Sequence, residues 1–159
     1  MMTFINHQPF NRFDRWAIRV ADLMTRDPVS IRSDATIRET INLLVGKGMT
    51  AAPVINEAGR PVGVLSVSDL VTAVLDDGLD EEAFFNMHVS EFMTPFVLFV
   101  NVDTLVHTVV SELLDCKVRQ MYVADDDGVL VGVLSTADLL RDFHRHAEEQ
   151  CADGCSMAA

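Results

Sequence analysis

The sequence predicts a mixed α/β (α+β) fold made of two tandem β-α-β-β-α units, each too small to bury its apolar face alone. Two observations carry this. Val20-Ala21-Asp22-Leu23-Met24-Thr25 returns as Val89-Ser90-Glu91-Phe92-Met93-Thr94, an offset of 69 residues that holds without a gap over about fifty positions. In addition, the stretch Gly63-Val64-Leu65-Ser66-Val67-Ser68-Asp69 is echoed by Gly132-Val133-Leu134-Ser135-Thr136-Ala137-Asp138. Each copy reads as the end of a buried strand turning into a helix, with Ser as the N-cap and Asp three places on, facing the first-turn N–H groups. A strand that feeds a helix N-terminus offers a place for an anion, so two such corners suggest a paired binding module.

The elements of the first unit follow from local signals. Val29-Ser30-Ile31 after Pro28 predicts a short strand, and Asp34 is expected to cap a helix whose apolar residues Ile37, Ile41, Leu44 and Val45 share a face. Gly46 and Gly48 are expected to end that helix. Strands over 53–55 and 61–65 are joined by Asn56-Glu57-Ala58-Gly59, a hairpin signal, and a second helix is predicted from Asp69 to Leu75. The second unit copies this order. It has a strand over 97–100, a helix over 103–114, a strand over 121–124, a turn at Asp125-Asp126-Asp127-Gly128, a strand over 129–134 and a helix from Asp138. The expected divisions are an aromatic segment 1–19, units 20–75 and 89–143, a linker 76–88 and a tail 144–159.

In the first segment, the spacing Phe13, Trp16, Ala17, Val20, Leu23 and Met24 predicts a helix from Asn11. It would cover part of the core or, given its aromatic content with Phe4 and Phe10, contribute to a subunit interface. The linker is acidic and then aromatic, reading as a solvated helix start followed by a docking point at Phe84 and Phe85.

Composition narrows the function. The 159 residues carry 24 acidic against 12 basic side chains, a formal charge of −12 and a pI near 4.6. Binding of nucleic acid or an anionic membrane needs clustered Lys and Arg, so neither partner is expected. No secretory signal or spanning apolar run is evident, and three cysteines (Cys116, Cys151, Cys155) form no disulfide framework, so a cytoplasmic location is expected. Cys116 reads as a small apolar residue near a helix end. The tail holds His144, His146, Cys151 and Cys155, but neither His-x-His nor Cys-x-x-x-Cys is diagnostic of zinc, and a solvated helix end is the plainer reading. The Asp125–Asp127 run lacks the further ligands of a calcium loop and reads as a hairpin turn. No nucleophile elbow, phosphate-binding Walker loop or His-Glu-x-x-His motif occurs, so the chain is not expected to be an enzyme.

The doubled Met-Thr, the Ala52-Pro53-Val54 strand, the hairpin glycines and the doubled Gly-x-x-Ser-x-x-Asp resemble the CBS domain pair, named after cystathionine β-synthase and also called the Bateman module. The resemblance covers residues 20–143, about four-fifths of the chain. It implies two units packed by pseudo-twofold symmetry around two clefts. Many members of that family hold adenosine compounds there, with Asp on the ribose hydroxyls and Ser with the helix N-terminus toward phosphate. Carried over, one cleft joins Val64, Ser66 and Asp69 to Thr94, Phe99, Val118 and Arg119. The other joins Val133, Ser135 and Asp138 to Thr25, Ser30, Met49 and Thr50.

The two clefts differ. Arg119 offers a fixed cation to a phosphate where the other cleft has Thr50, while Phe99 would stack on adenine or fill the space. Small Ser30 leaves more room, and Arg141 stands three places after Asp138. The Arg119 cleft is therefore expected to favour a phosphate, and the Ser30 cleft an uncharged adenosine. The resemblance thus implies a regulatory module that needs no cofactor, takes AMP, ADP or ATP as ligand, and signals through a homodimer or a protein partner. Ser-x-x-Asp is also a variant of the capping box, which stabilises a helix start without any ligand. A dimeric interaction module with vestigial clefts, acting through Trp16, Phe84 and Phe85, and a metal sensor that uses the tail remain as alternatives.

Overall fold

The computed structural model describes residues 17–75, 78 and 80–155, with side chains to residue 148. Phe4, Phe10, Phe13 and Trp16, and the side chains of Cys151 and Cys155, lie outside the described residues. In chain order the elements are α1 (Val20–Leu23), β1 (Thr25–Arg26), β2 (Ile31–Arg32), α2 (Ile37–Lys47), β3 (Ala51–Ile55), β4 (Pro61–Ser66), α3 (Val67–Val74) and α4 (Glu81–Asn86). A 3-10 turn, Val89–Glu91, leads to β5 (Phe99–Asn101), α5 (Val106–Asp115), β6 (Gln120–Ala124), β7 (Leu130–Ser135) and α6 (Thr136–Cys155). The expected mixed architecture is present as two sheets, ordered β2-β3-β4 and β1-β7-β6-β5. Each contains one parallel pair, β2 with β3 or β5 with β6, and one antiparallel hairpin, β3 with β4 or β6 with β7.

The head of each repeat packs into the other repeat. Val20 and Met24 are buried among Val106, Val109, Leu113, Met121, Val123 and Leu134 of the second unit. Reciprocally, Val89, with Phe84 from the linker helix, is buried among Ile31, Ile37, Leu44, Val54 and Leu65 of the first. Backbone hydrogen bonds follow the same exchange: Val20 N–H donates to Thr104 O at 2.8 Å and Val89 N–H to Ala35 O at 3.0 Å. Neither repeat closes its core without the other, which ties the two clefts mechanically together.

Several local expectations are corrected. Residues 17–19 are not helical and α1 is a single turn. The leading strands start later than expected, at Ile31 and Phe99, and the two corner helices start earlier, at Val67 and Thr136, directly after their Ser caps. Asp34 does not cap α2, because Arg32 takes both its oxygens at 2.9 and 2.8 Å. Thr36 is the cap, its Oγ1 accepting from Glu39 N–H at 3.3 Å while Thr36 N–H donates to Glu39 Oε2 at 2.9 Å. Asp103 is likewise paired with Arg19, and α5 starts at Val106 with Leu105 at the N-cap position and no side-chain cap.

The Thr36 N–H and hydroxyl hold the Glu39 carboxyl below the usual carboxylate range. The helix start is therefore supported above the ordinary Glu pKa, and this support is lost only as pH falls through the depressed value. Thr36→Ala should destabilise the protein by about 1 kcal/mol, read from a denaturant melt at neutral pH.

Gly46 lies within α2, and only Gly48 ends it, in a left-handed conformation at φ 62° that its counterpart Lys117 also adopts at φ 54°. Phe84 is 3% exposed, with Phe85 and Phe92 packed on it at ring-centroid distances of 5.7 and 5.4 Å. Its docking partner is therefore the first unit's own core, and it is not free to meet another protein. Cys116 caps the end of α5 and is exposed rather than buried. The tail continues α6 as helix through Cys155. No helix among the described residues is long and apolar enough to cross a membrane.

Candidate functional site

Each corner is built by a strand running straight into a helix. Along β4 the buried Gly63 and Leu65 alternate with the half-buried Val62 and Val64, and the chain turns at Ser66 into α3. Ser66 N–H and Oγ donate to Asp69 Oδ2 at 2.8 and 2.6 Å, and Asp69 N–H donates back to Ser66 Oγ at 3.2 Å. The Ser135–Asp138 corner repeats this with the same distances. Val67 N–H, the first of α3, donates to Thr50 O at 2.9 Å, and Thr136 N–H donates to Arg119 O at 2.9 Å. The loop before each hairpin is thus fastened to the N-terminus of its own unit's corner helix.

The motif glycines allow close approach between the two units. A Cβ on Gly63 would lie 2.6 Å from Thr94 O and 2.7 Å from Met93 Sδ. That space lets Thr94 and Val64 exchange two backbone hydrogen bonds, at 2.9 and 3.0 Å, across the unit boundary. Thr25 pairs with Val133 in the same way through β1 and β7.

A cleft of about 650 Å³ opens between the units beside this first junction. Ala51 and Val64 of the first unit line one side; Phe96, Val97, Leu98, Cys116, Val118, Arg119, Gln120 and Tyr122 of the second line the rest. Three residues expected from the sequence, Val64, Val118 and Arg119, therefore meet in one cavity. Thr94 is hydrogen-bonded to Val64 and Ser66 is in register with Ala51, but Ser66, Asp69 and Thr94 are not among the lining residues. Phe99 is 54% exposed on the edge strand β5 and is not among the lining residues.

The aromatic wall comes instead from Phe96 and Tyr122. Their counterparts in the first unit are Asp27 and Pro53, so the repeat itself gave no signal for them. The Tyr122 hydroxyl accepts from Gln120 Nε2 at 2.9 Å, and burial pushes its pKa up, so the phenol stays protonated at neutral pH. Arg119 is exposed, and its guanidinium makes no hydrogen bond or ion pair among the described residues. Asp69 likewise keeps Oδ1 without a partner.

The second corner differs. Asp138 is 6% exposed and its Oδ1 accepts from Arg141 at 2.9 Å, so the charge anticipated at Arg141 is spent on Asp138 itself. The cavity that touches Asp138, of about 400 Å³, is lined by Asp22, Leu23, Arg141, Asp142 and Arg145. It contains none of Thr25, Ser30, Met49 and Thr50. Thr25 is held in β1 against Val133, Ser30 is half-buried ahead of β2, and Met49 packs on the first unit's core. Among the described residues no group of three or more His, Cys, Asp or Glu side chains is placed to hold a metal ion.

The CBS domain family model matches residues 20–76 and 89–145, one match for each repeat. The chain belongs to the CBS domain family. Curated relatives of this CBS pair include the magnesium transporter MgtE of Thermus thermophilus, 32% identical over 136 residues, covering 80% of this chain and 27% of the transporter. Another is the chloroplastic CBS domain-containing protein CBSX1 of Arabidopsis thaliana, 28% identical, covering 77% of this chain and 62% of that protein. The first relatives are longer: this chain spans 24% of a Methanococcus vannielii homoserine O-acetyltransferase and 62% of an uncharacterised Methanopyrus kandleri protein.

Among solved structures, CBSX2 in complex with AMP superposes with a TM-score of 0.69 at 28% identity, covering 81% of this chain and 98% of that one. The cytosolic domain of MgtE in complex with ATP gives a TM-score of 0.64 at 29% identity, covering 77% and 48%. A CBS domain protein from Bacillus anthracis, at 19% identity and a TM-score of 0.72 over 84% and 98%, supports the fold alone.

Proposed function

We propose that this CBS pair is a regulatory, non-enzymatic module that binds an adenosine nucleotide in the cleft at Arg119. The observation that carries this reading is the unpartnered guanidinium at the mouth of a largely apolar cavity made by both units. An arginine in that position suits a phosphate, which it can meet in bidentate fashion. Val64, Val118 and the Phe96–Tyr122 wall give a base its apolar surroundings, and Asp69, three residues past the strand position that pairs with the lining Ala51, offers Oδ1 as an acceptor for ribose hydroxyls. Likeness to CBSX2 and MgtE, solved with AMP and ATP, supports the ligand class.

The overall charge of −12 opposes an anionic ligand at long range, which makes the local cation the deciding contact. For the second cleft, around Ser30, Thr25, Met49, Thr50, Val133, Ser135 and Asp138, the engagement of Arg141 with Asp138 favours an uncharged adenosine. Binding across the boundary acts on the Val64–Thr94 junction and shifts the angle between units, provided that the ligand prefers one arrangement. The output passes to a second copy or a protein partner in the cytoplasm. Exposed Val71, Val74 and Leu75 on and after α3, with Leu140 on α6, form the apolar surface for an isologous homodimer.

Calorimetric titration tests the central contact. Arg119→Gln should weaken AMP, ADP or ATP by roughly tenfold or more and leave adenosine unaffected, since the side chain addresses phosphate alone. Equal loss for adenosine and AMP would remove Arg119 from the phosphate role.

A further inference from the structure

The cleft at Arg119 carries a polar side chain that the phosphate contact leaves unused. Along β6 successive side chains alternate between faces: Met121 and Val123 are buried in the core of the second unit, while Gln120 and Tyr122 both line the cleft. Gln120 is exposed there, and Tyr122 beside it is 5% exposed. Gln120 Nε2 donates one of its two hydrogens to the Tyr122 hydroxyl at 2.9 Å. Among the described residues its other N–H and its Oε1 have no partner. The amide is therefore held at its Nε2 end, with an acceptor and a donor to spare. Apart from Arg119, Gln120, Cys116 and Tyr122, the side chains that line the cleft are apolar.

We propose that Gln120 determines which base the cleft accepts, by recognising the exocyclic amino group of adenine; this deepens, and rests on, the nucleotide reading of the Arg119 cleft. Adenine places that amino donor beside a ring-nitrogen acceptor. A primary amide places a carbonyl acceptor beside an N–H donor, so the two edges pair through two hydrogen bonds. Oε1 accepts from the amino group, and the spare Nε2 hydrogen goes to the ring nitrogen. Tyr122 is a positioning residue: its contact with Nε2 restrains a flexible side chain in advance, so less rotamer freedom is lost when the base arrives. The counterparts of Gln120 and Tyr122 in the first unit are Ala51 and Pro53, and neither side chain can form a hydrogen bond. Selection for the amino group therefore belongs to the Arg119 cleft and has no equivalent at the duplicated position.

Calorimetric titration of the full chain with AMP and with purine riboside monophosphate, which differs only in lacking the exocyclic amino group, is the test. The unaltered chain should bind AMP roughly three- to tenfold more tightly, the worth of one neutral hydrogen bond. Gln120→Leu, at an exposed position, should abolish that preference. Tyr122→Phe keeps the aromatic wall and should reduce the preference; an unchanged preference in that variant removes the positioning role. Arg119→Gln should weaken both ligands by the same factor and leave their ratio intact, which separates base from phosphate. Equal binding of the two ligands, or a preference that survives Gln120→Leu, overturns the inference and leaves the nucleotide reading standing. No binding of either ligand overturns both.

Discussion

Asp69→Asn is expected to weaken AMP or ATP binding by roughly ten- to a hundredfold, the cost of losing a charged hydrogen-bond acceptor from a ligand. Its Oδ2 is committed to Ser66, and its Oδ1 meets no donor among the described residues. Asparagine retains an oxygen for the cap, so the effect on folding should stay small against the effect on binding. Asp69→Ala removes both roles and should add about 1 kcal/mol of destabilisation from the lost cap. The pair of variants separates a ligand role from a purely structural one. If thermal melts of both variants change while nucleotide affinity does not, Asp69 is only a cap.

Gly63→Ala should have the largest effect on stability, a loss of about 2–3 kcal/mol, because the new methyl group meets backbone that cannot rotate away. Thr94 O would lie 2.6 Å from it, and Thr94 is fixed by two hydrogen bonds to Val64. Relief requires the head of the second repeat to move off β4, which also opens the cleft wall at Val64. Denaturant melts should therefore show the loss together with weaker nucleotide binding. Gly46→Ala is the control: nothing lies within 4 Å of its added Cβ, and alanine in a helix interior should stabilise by about 0.5–1 kcal/mol. Equal melts for the two variants would refute the close-approach role of Gly63.

That role marks a boundary of what the sequence discloses. The repeat, the order of elements and the two Ser-x-x-Asp corners are legible because duplication, hydrophobic period and capping chemistry are all local or self-referential. The exchange of head segments is not, since Val20 and Val89 would be equally apolar whichever unit buried them. The cap expected at Asp34 went astray because nearby Arg32 competed for its carboxylate, and the helix expected from Asp103 starts later, with Asp103 paired to Arg19. Of the cleft, Val64, Val118 and Arg119 could be read from the motif positions. Phe96 and Tyr122 could not, because their counterparts Asp27 and Pro53 have other chemistry. Asp142 looked like any polar residue on an amphipathic helix, and its burial came only with the arrival of α1 against α6.

Calorimetric titration of the chain with AMP, ADP and ATP, beside Arg119→Gln and Asp69→Asn, tests the account most directly. Saturable binding of at least one nucleotide, weakened tenfold or more by each substitution, is the predicted result. Absence of binding by all three, or binding that neither substitution alters, would contradict it.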